Sequence, residues 1–101
     1  MVINSLSSIA LSGMQAARTQ LDASANNIAN VNTEGYRREE VAQTEQPQGG
    51  VSAQVKRAPQ AGSDLESDVV AQLQGKNAFL ANLAVFKTDS KMKGQLLDVA
   101  A

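Results

Sequence analysis

The residues best placed to do chemistry in this chain are carboxamides. Asn26, Asn27, Asn30 and Asn32 fall within seven positions, and Asn82 stands in the second half of the chain. A carboxamide both donates and accepts hydrogen bonds, so this group can bridge helices or cap exposed backbone where a helix ends. Asn26 and Asn30 are four apart and share a helical face. Asparagine is a poor helix former, so the cluster reads either as a polar surface ending in a turn or as an interface. Groups that usually catalyse are missing. There is no Cys and no His, which removes thiol nucleophiles, imidazole bases, disulfides and thiolate or imidazole metal sites. A metal would need carboxylates alone, and no acidic cluster has calcium-loop spacing. Nor do two carboxylates stand out as a glycosidase pair. The reading is of no catalytic residue, no metal, no cofactor and no small-molecule substrate.

Charge excludes further classes. Nine Lys and Arg against ten Asp and Glu give a net charge of −1, so no global field favours nucleic acid or an anionic membrane. The short basic groups Arg37–Arg38, Lys56–Arg57 and Lys87, Lys91, Lys93 read as solvated faces. No apolar stretch approaches the length of a membrane span, and the first residues lack the pattern of a secretory signal.

Elements must position the carboxamides, and composition divides the 101 residues into three segments. The first, residues 1–35, carries apolar or small residues at helical spacing. Ala10, Met14, Ala17, Leu21, then Ser24 or Ala25, Ile28 and Val31 alternate steps of four and three, a coiled-coil-like seam. Ile3 extends the series. The spacing predicts a helix about 42 Å long. Gly13 weakens it locally but allows a neighbouring helix to approach. Gly35 supplies a left-handed stop.

Residues 36–62 change pattern. Gly49-Gly50 separates two partly alternating runs, Arg37–Gln43 and Val51–Lys56, which reads as a short β-hairpin, an extended arm or a flexible linker. Such a hairpin is marginal alone. Residues 63–101 restart the helix. Ser63 with Glu66 three positions on forms a capping box, and Asp64 adds favourable first-turn charge. Leu65, Val69, Leu73, Leu80, Leu83, Phe86 and Leu97 follow at three-to-four spacing, with Gly75 and Gly94 as weak points. The predicted length is about 52 Å.

The fold class is therefore mainly α: two long terminal helices paired as an antiparallel coiled-coil-like hairpin, joined by the short connector. Leu11, Val70, Phe79, Val85 and Leu96 lie off the seams and have no partner within such a pair. At about 25 cal/mol per Å² of apolar surface, leaving several such side chains wet forfeits several kcal/mol. Other chains are expected to complete the core.

Two runs of residues narrow the reading. Ala25-Asn26-Asn27-Ile28-Ala29-Asn30-Val31-Asn32-Thr33-Glu34-Gly35-Tyr36-Arg37-Arg38 closely resembles the N-terminal signature of the bacterial flagellar rod, hook and hook–filament junction proteins, the axial family. Ser12-Gly13-Met14-Gln15-Ala16-Ala17 and Leu21-Asp22 resemble the same family's upstream residues. At the other end, Ala78-Phe79, Ala81-Asn82, Val85, Lys87-Thr88 and Met92-x-Gly94-x-Leu96-Leu97-Asp98 are similar to its C-terminal pattern. Four departures are visible: Glu34 stands where the family usually has Pro, Phe79 replaces a Tyr, Gly75-Lys76-Asn77 stands where the family often has Gln followed by a basic residue, and the segment between the motifs is short. In size the chain is most similar to the proximal rod members.

The resemblance implies a structural subunit of the flagellar basal-body rod, not an enzyme. It implies export from the cytoplasm by the flagellar type III apparatus and incorporation into the periplasm-spanning rod. Expected partners are other rod or axial proteins and like subunits, with no nucleic acid and no direct membrane insertion. Met14, Ala17, Leu21, Ile28, Val31, Leu65, Val69, Leu73, Phe79, Leu80, Leu83, Phe86 and Leu97 are the expected helix-packing or assembly residues. Asn26, Asn27, Asn30, Thr33, Gly35, Tyr36, Asn82, Lys87 and Thr88 are the expected polar and turn residues of the motif. The short connector also admits a soluble helical-hairpin adaptor or export regulator outside the rod.

Overall fold

A computed structural model describes residues 6–100, with side chains to residue 98. Ile3, expected in the first seam, lies outside the described residues. The chain forms α1 (Leu6–Ala29), β1 (Glu39–Glu45), β2 (Val51–Arg57) and α2 (Leu65–Ala100). The helices run antiparallel, with Asn27 beside Asp68, Leu21 against Gly75, Gly13 against Asn82 and Ser7 beside Asp89. Met92 still lies beside Leu6, and residues 93–98 of α2 extend past it. The molecule is elongated, 62 × 26 × 14 Å.

Helix boundaries follow local chemistry. At the end of α1 the chain turns through Asn30–Gly35, and Gly35 takes φ 77°, a left-handed geometry open to glycine. Val31, expected inside the helix, lies in this turn and is half-buried. The cap of α2 is one residue later than the Ser63–Glu66 box. Asp64 Oδ1 accepts from Ser67 N–H at 3.1 Å, and Asp64 O accepts from Asp68 N–H at 3.0 Å. Asp64 prevails because its carboxylate both caps the amides and complements the helix dipole.

The first seam faces α2 as its spacing predicts. Ala10, Met14, Ala17 and Ser24 are buried, with Leu21 and Ile28 half-buried; Ser24, not Ala25, holds the inward position. A second row on α1, including Ala16, Ala23 and Asn27, is also buried, because the β-hairpin packs along this side. Short side chains on both rows let α1 lie between two neighbours.

The second seam is corrected. The row of α2 that faces α1 is Asp68, Ala71, Gly75, Phe79, Asn82, Phe86 and Asp89, buried or half-buried at steps of three and four. Leu65, Val69, Leu73, Leu80 and Leu97 are exposed, Leu73 by 58% and Leu80 by 51%. Leu65, Val69, Leu73 and Leu80 lie about a third of a turn round the helix from the inward row, while Leu97 is in line with that row but beyond Leu6. Phe79, expected off the seam, belongs to the inward row, and Leu83 is half-buried beside it. Gly75 is a packing site, since a Cβ there would meet Leu21 Cγ at 3.1 Å and the Ala17 carbonyl at 3.3 Å. The inward row mixes small and polar residues, Asp68, Ala71, Gly75 and Asn82, with the rings of Phe79 and Phe86, so the spacing of the leucines does not mark it.

The connector is a two-stranded antiparallel hairpin, with Glu39 opposite Arg57, Val41 opposite Val55 and Glu45 opposite Val51. Gly49 and Gly50 close it with φ of 97° and 91°. Gly50 also sits on α1: a Cβ there would lie 2.7 Å from Ser12 Oγ. That hydroxyl accepts from Val51 N–H at 3.1 Å and donates to Ile9 O at 2.7 Å. Docking onto α1 supplies the support an isolated hairpin lacks.

Candidate functional site

Asn27 is the centre of the polar architecture. Its side chain is 4% exposed and uses all four of its hydrogen-bonding positions. Nδ2 donates to Glu39 O at 2.9 Å and to Asp68 Oδ1 at 3.0 Å. Oδ1 accepts from Glu39 N–H at 2.7 Å and from Tyr36 O–H at 3.2 Å. One carboxamide on α1 thereby holds the turn, the first residue of β1 and the first turn of α2.

Asp68 is the charged half of this cluster. It is 3% exposed, and a carboxylate so buried requires a partner. Arg38 provides it, with Nη2 donating to Oδ1 at 2.5 Å and Nε to Oδ2 at 3.2 Å. The hydrogen-bonded Asp68 carboxylate holds the Arg38 guanidinium above its already high ordinary pKa. Tyr36 contributes a second contact: the Arg57 guanidinium lies over its ring, 5.2 Å from the centroid. Arg57 also pairs with Glu39 at 3.4 Å and donates to Arg37 O.

The other asparagines do separate work. Asn30 closes the helix, its Nδ2 donating to Asn26 O at 2.8 Å while Thr33 Oγ1 donates to Asn30 Oδ1 at 3.1 Å. Thr33 N–H also donates to Asn30 O, and Tyr36 N–H to Thr33 O. Asn26 is exposed and reaches Glu39 Oε2 at 3.5 Å. Asn82 donates to Ala78 O at 2.8 Å and lies across Gly13, where a Cβ would stand 2.6 Å from its Oδ1. A side chain at position 13 would therefore displace the Asn82 carboxamide.

At the far end of the helix pair, Ser7 Oγ donates to Asp89, which also pairs with Lys93 at 3.0 Å. The Ser7 hydroxyl and then the Lys93 ammonium hold the Asp89 carboxyl below its ordinary pKa. Lys87 and Thr88 are exposed on α2. The structure brings Asn27, Tyr36, Thr33 and Asn30 together at one end. It sets Asn82 midway and Lys87 and Thr88 beyond it.

Arg38, Glu39 and Asp68 complete the cluster and are not singled out by sequence reasoning. Arg38 reads as one of a basic pair, and the first-turn charge singled out on α2 is Asp64, not Asp68. One available signal is that Asp68 lies three residues before Ala71 and seven before Gly75, in a row of small residues. The cluster presents fixed hydrogen bonds and a neutralised charge pair, an arrangement suited to holding elements in place. Among the described residues there is no group of His, Cys, Asp and Glu suited to a metal. No described helix is long and apolar enough to cross a membrane.

Among curated proteins no match is found. Residues 8–37 match the model of the family described as flagella basal body rod protein. The matched span covers most of α1, the turn and Tyr36, and so includes the carboxamide that organises the cluster. Its family members have a structural role in the flagellar basal body rod and are not known as enzymes. The match spans less than a third of the chain and makes that part similar to the flagella basal body rod protein family.

Proposed function

We propose that the chain is a rod subunit that polymerises through its terminal helices. The single observation that carries this is the uncovered leucine row of α2. Leu65, Val69, Leu73 and Leu80 run along one flank at helical spacing, and each is exposed by 42% or more. The hairpin covers the other flank of the helix pair, where Ala71 and Ala78 line a groove beside β1. Burying such a row against neighbouring helices recovers about 25 cal/mol per Å², which the isolated chain forgoes. In this reading Met14, Ala17, Leu21 and Ile28 pack the helices within one subunit, and the leucines of α2 meet the next. The Asn27 cluster fixes the angle at which the two helices present them.

The resemblance of both termini to the axial family further supports export by the flagellar type III apparatus and placement in the part of the rod that spans the periplasm. Rod proteins and like subunits are the partners. The short hairpin, with no larger outer layer among the described residues, also suits an adaptor that stays outside the rod. Fractionation of flagellated cells separates the two: the rod reading expects the chain in purified basal bodies, and recovery only in the cytoplasm would refute it.

A further inference from the structure

Two main-chain bonds set the phase of the hairpin. Ala58 N–H donates to Arg38 O at 2.8 Å and Gln46 N–H to Gly50 O at 3.0 Å. Both keep the register that places Val41 opposite Val55, so the even-numbered residues of β1 exchange bonds with β2. Glu39, Val41, Gln43 and Glu45 consequently turn their N–H and C=O groups away from β2. At Glu39 both outward groups are taken, by Asn27 Oδ1 and Nδ2. A side-chain amide stands there as the first residue of a third strand would. No described residue takes the outward main-chain groups of Val41, Gln43 or Glu45.

Beside this edge runs an open groove between the hairpin and α2, in two stretches with cavity volumes of about 650 and 450 Å³. Its floor and far wall include Ala16, Ala17, Ala23, Ala71 and Ala78. Gln20 crosses it, donating to Ala71 O at 3.2 Å and accepting from Gln43 Nε2 at 3.4 Å, a side chain that an incoming strand displaces. The rim carries Glu40 and Glu45, while the nearby Arg38 is already held by Asp68. The groove therefore has an alanine-rich floor crossed by Gln20, an acidic rim and a row of unused strand donors and acceptors.

We propose that an extended segment of another protein adds here as a third strand. It pairs with Val41, Gln43 and Glu45, places alternate apolar side chains on the alanine floor, and carries Lys or Arg toward the rim. This surface is separate from the leucine row, so it stands or falls independently of polymerisation.

The test uses the full isotope-labelled chain and a short blocked peptide alternating valine or leucine with threonine and lysine. The expected result is saturable amide shifts at Val41, Gln43 and Glu45. Gln43→Pro removes an outward N–H without touching the β1–β2 ladder and should weaken binding by about tenfold or more. Ala78→Leu, at an exposed position, fills the groove and should weaken it similarly with helicity unchanged. No saturable shift up to about 2 mM peptide, shifts confined to the leucine row, or full binding by Ala78→Leu would each overturn the proposal.

Discussion

Asn27 and its neighbour show how one residue type does different things at adjacent positions. Asn26, one residue earlier, is exposed and makes one long contact with Glu39. Asn27 is buried and makes four. Removing a buried carboxamide leaves donors and acceptors of β1 and α2 unpaired, at about 1–3 kcal/mol. Asn27→Ala is thus expected to lower the melting temperature by roughly 5–20 °C, read by thermal circular dichroism, whereas Asn26→Ala should change it little. Equal effects of the two would contradict the assigned roles. The sequence made the asparagine cluster visible but left bridge and surface equally open, because burial is decided by elements far along the chain. Arg38 and Asp68 were hidden for the same reason: their pairing joins residues 30 positions apart, and each reads alone as ordinary surface charge.

At the scale of elements, the two helices were unequally legible. For α1 the four-and-three spacing identifies the inward row, since its apolar and small residues are the ones that pack. On α2 the most apolar row is not the inward one. Periodicity locates a stripe but does not say which neighbour covers it, and the small-residue row through Ala71 and Gly75 carries little hydrophobic signal. The glycines separate packing from propensity. Gly50 has φ 91° and faces Ser12, while Gly94 lies in α2 with nothing near its missing Cβ. Gly50→Ala should destabilise the chain by about 1–2 kcal/mol, and Gly94→Ala should stabilise it by about 0.5–1 kcal/mol. Urea titration monitored at the helical band tests both; a stabilised Gly50→Ala would contradict the docking of the hairpin turn on α1.

The whole molecule is organised by what it leaves uncovered. No large side chain among the described residues is fully buried, and the buried apolar set is four alanines and Met14. One end is fixed by the Asn27–Asp68–Arg38 cluster. Toward the other end α2 extends past Leu6, with Leu97 exposed by 70%. Only three of the residues are aromatic by percentage of composition, 3%, which suits thin helical layers better than a closed core. The match of residues 8–37 to the rod family model and this exposed leucine flank both support the proposal that neighbours in the rod complete the fold. Cryo-microscopy of isolated basal bodies tests it most directly. The account predicts density for this chain in the rod with Leu65, Val69, Leu73 and Leu80 buried against adjacent helices. A rod lacking the chain at every axial level, or holding it with that flank facing solvent, would contradict it.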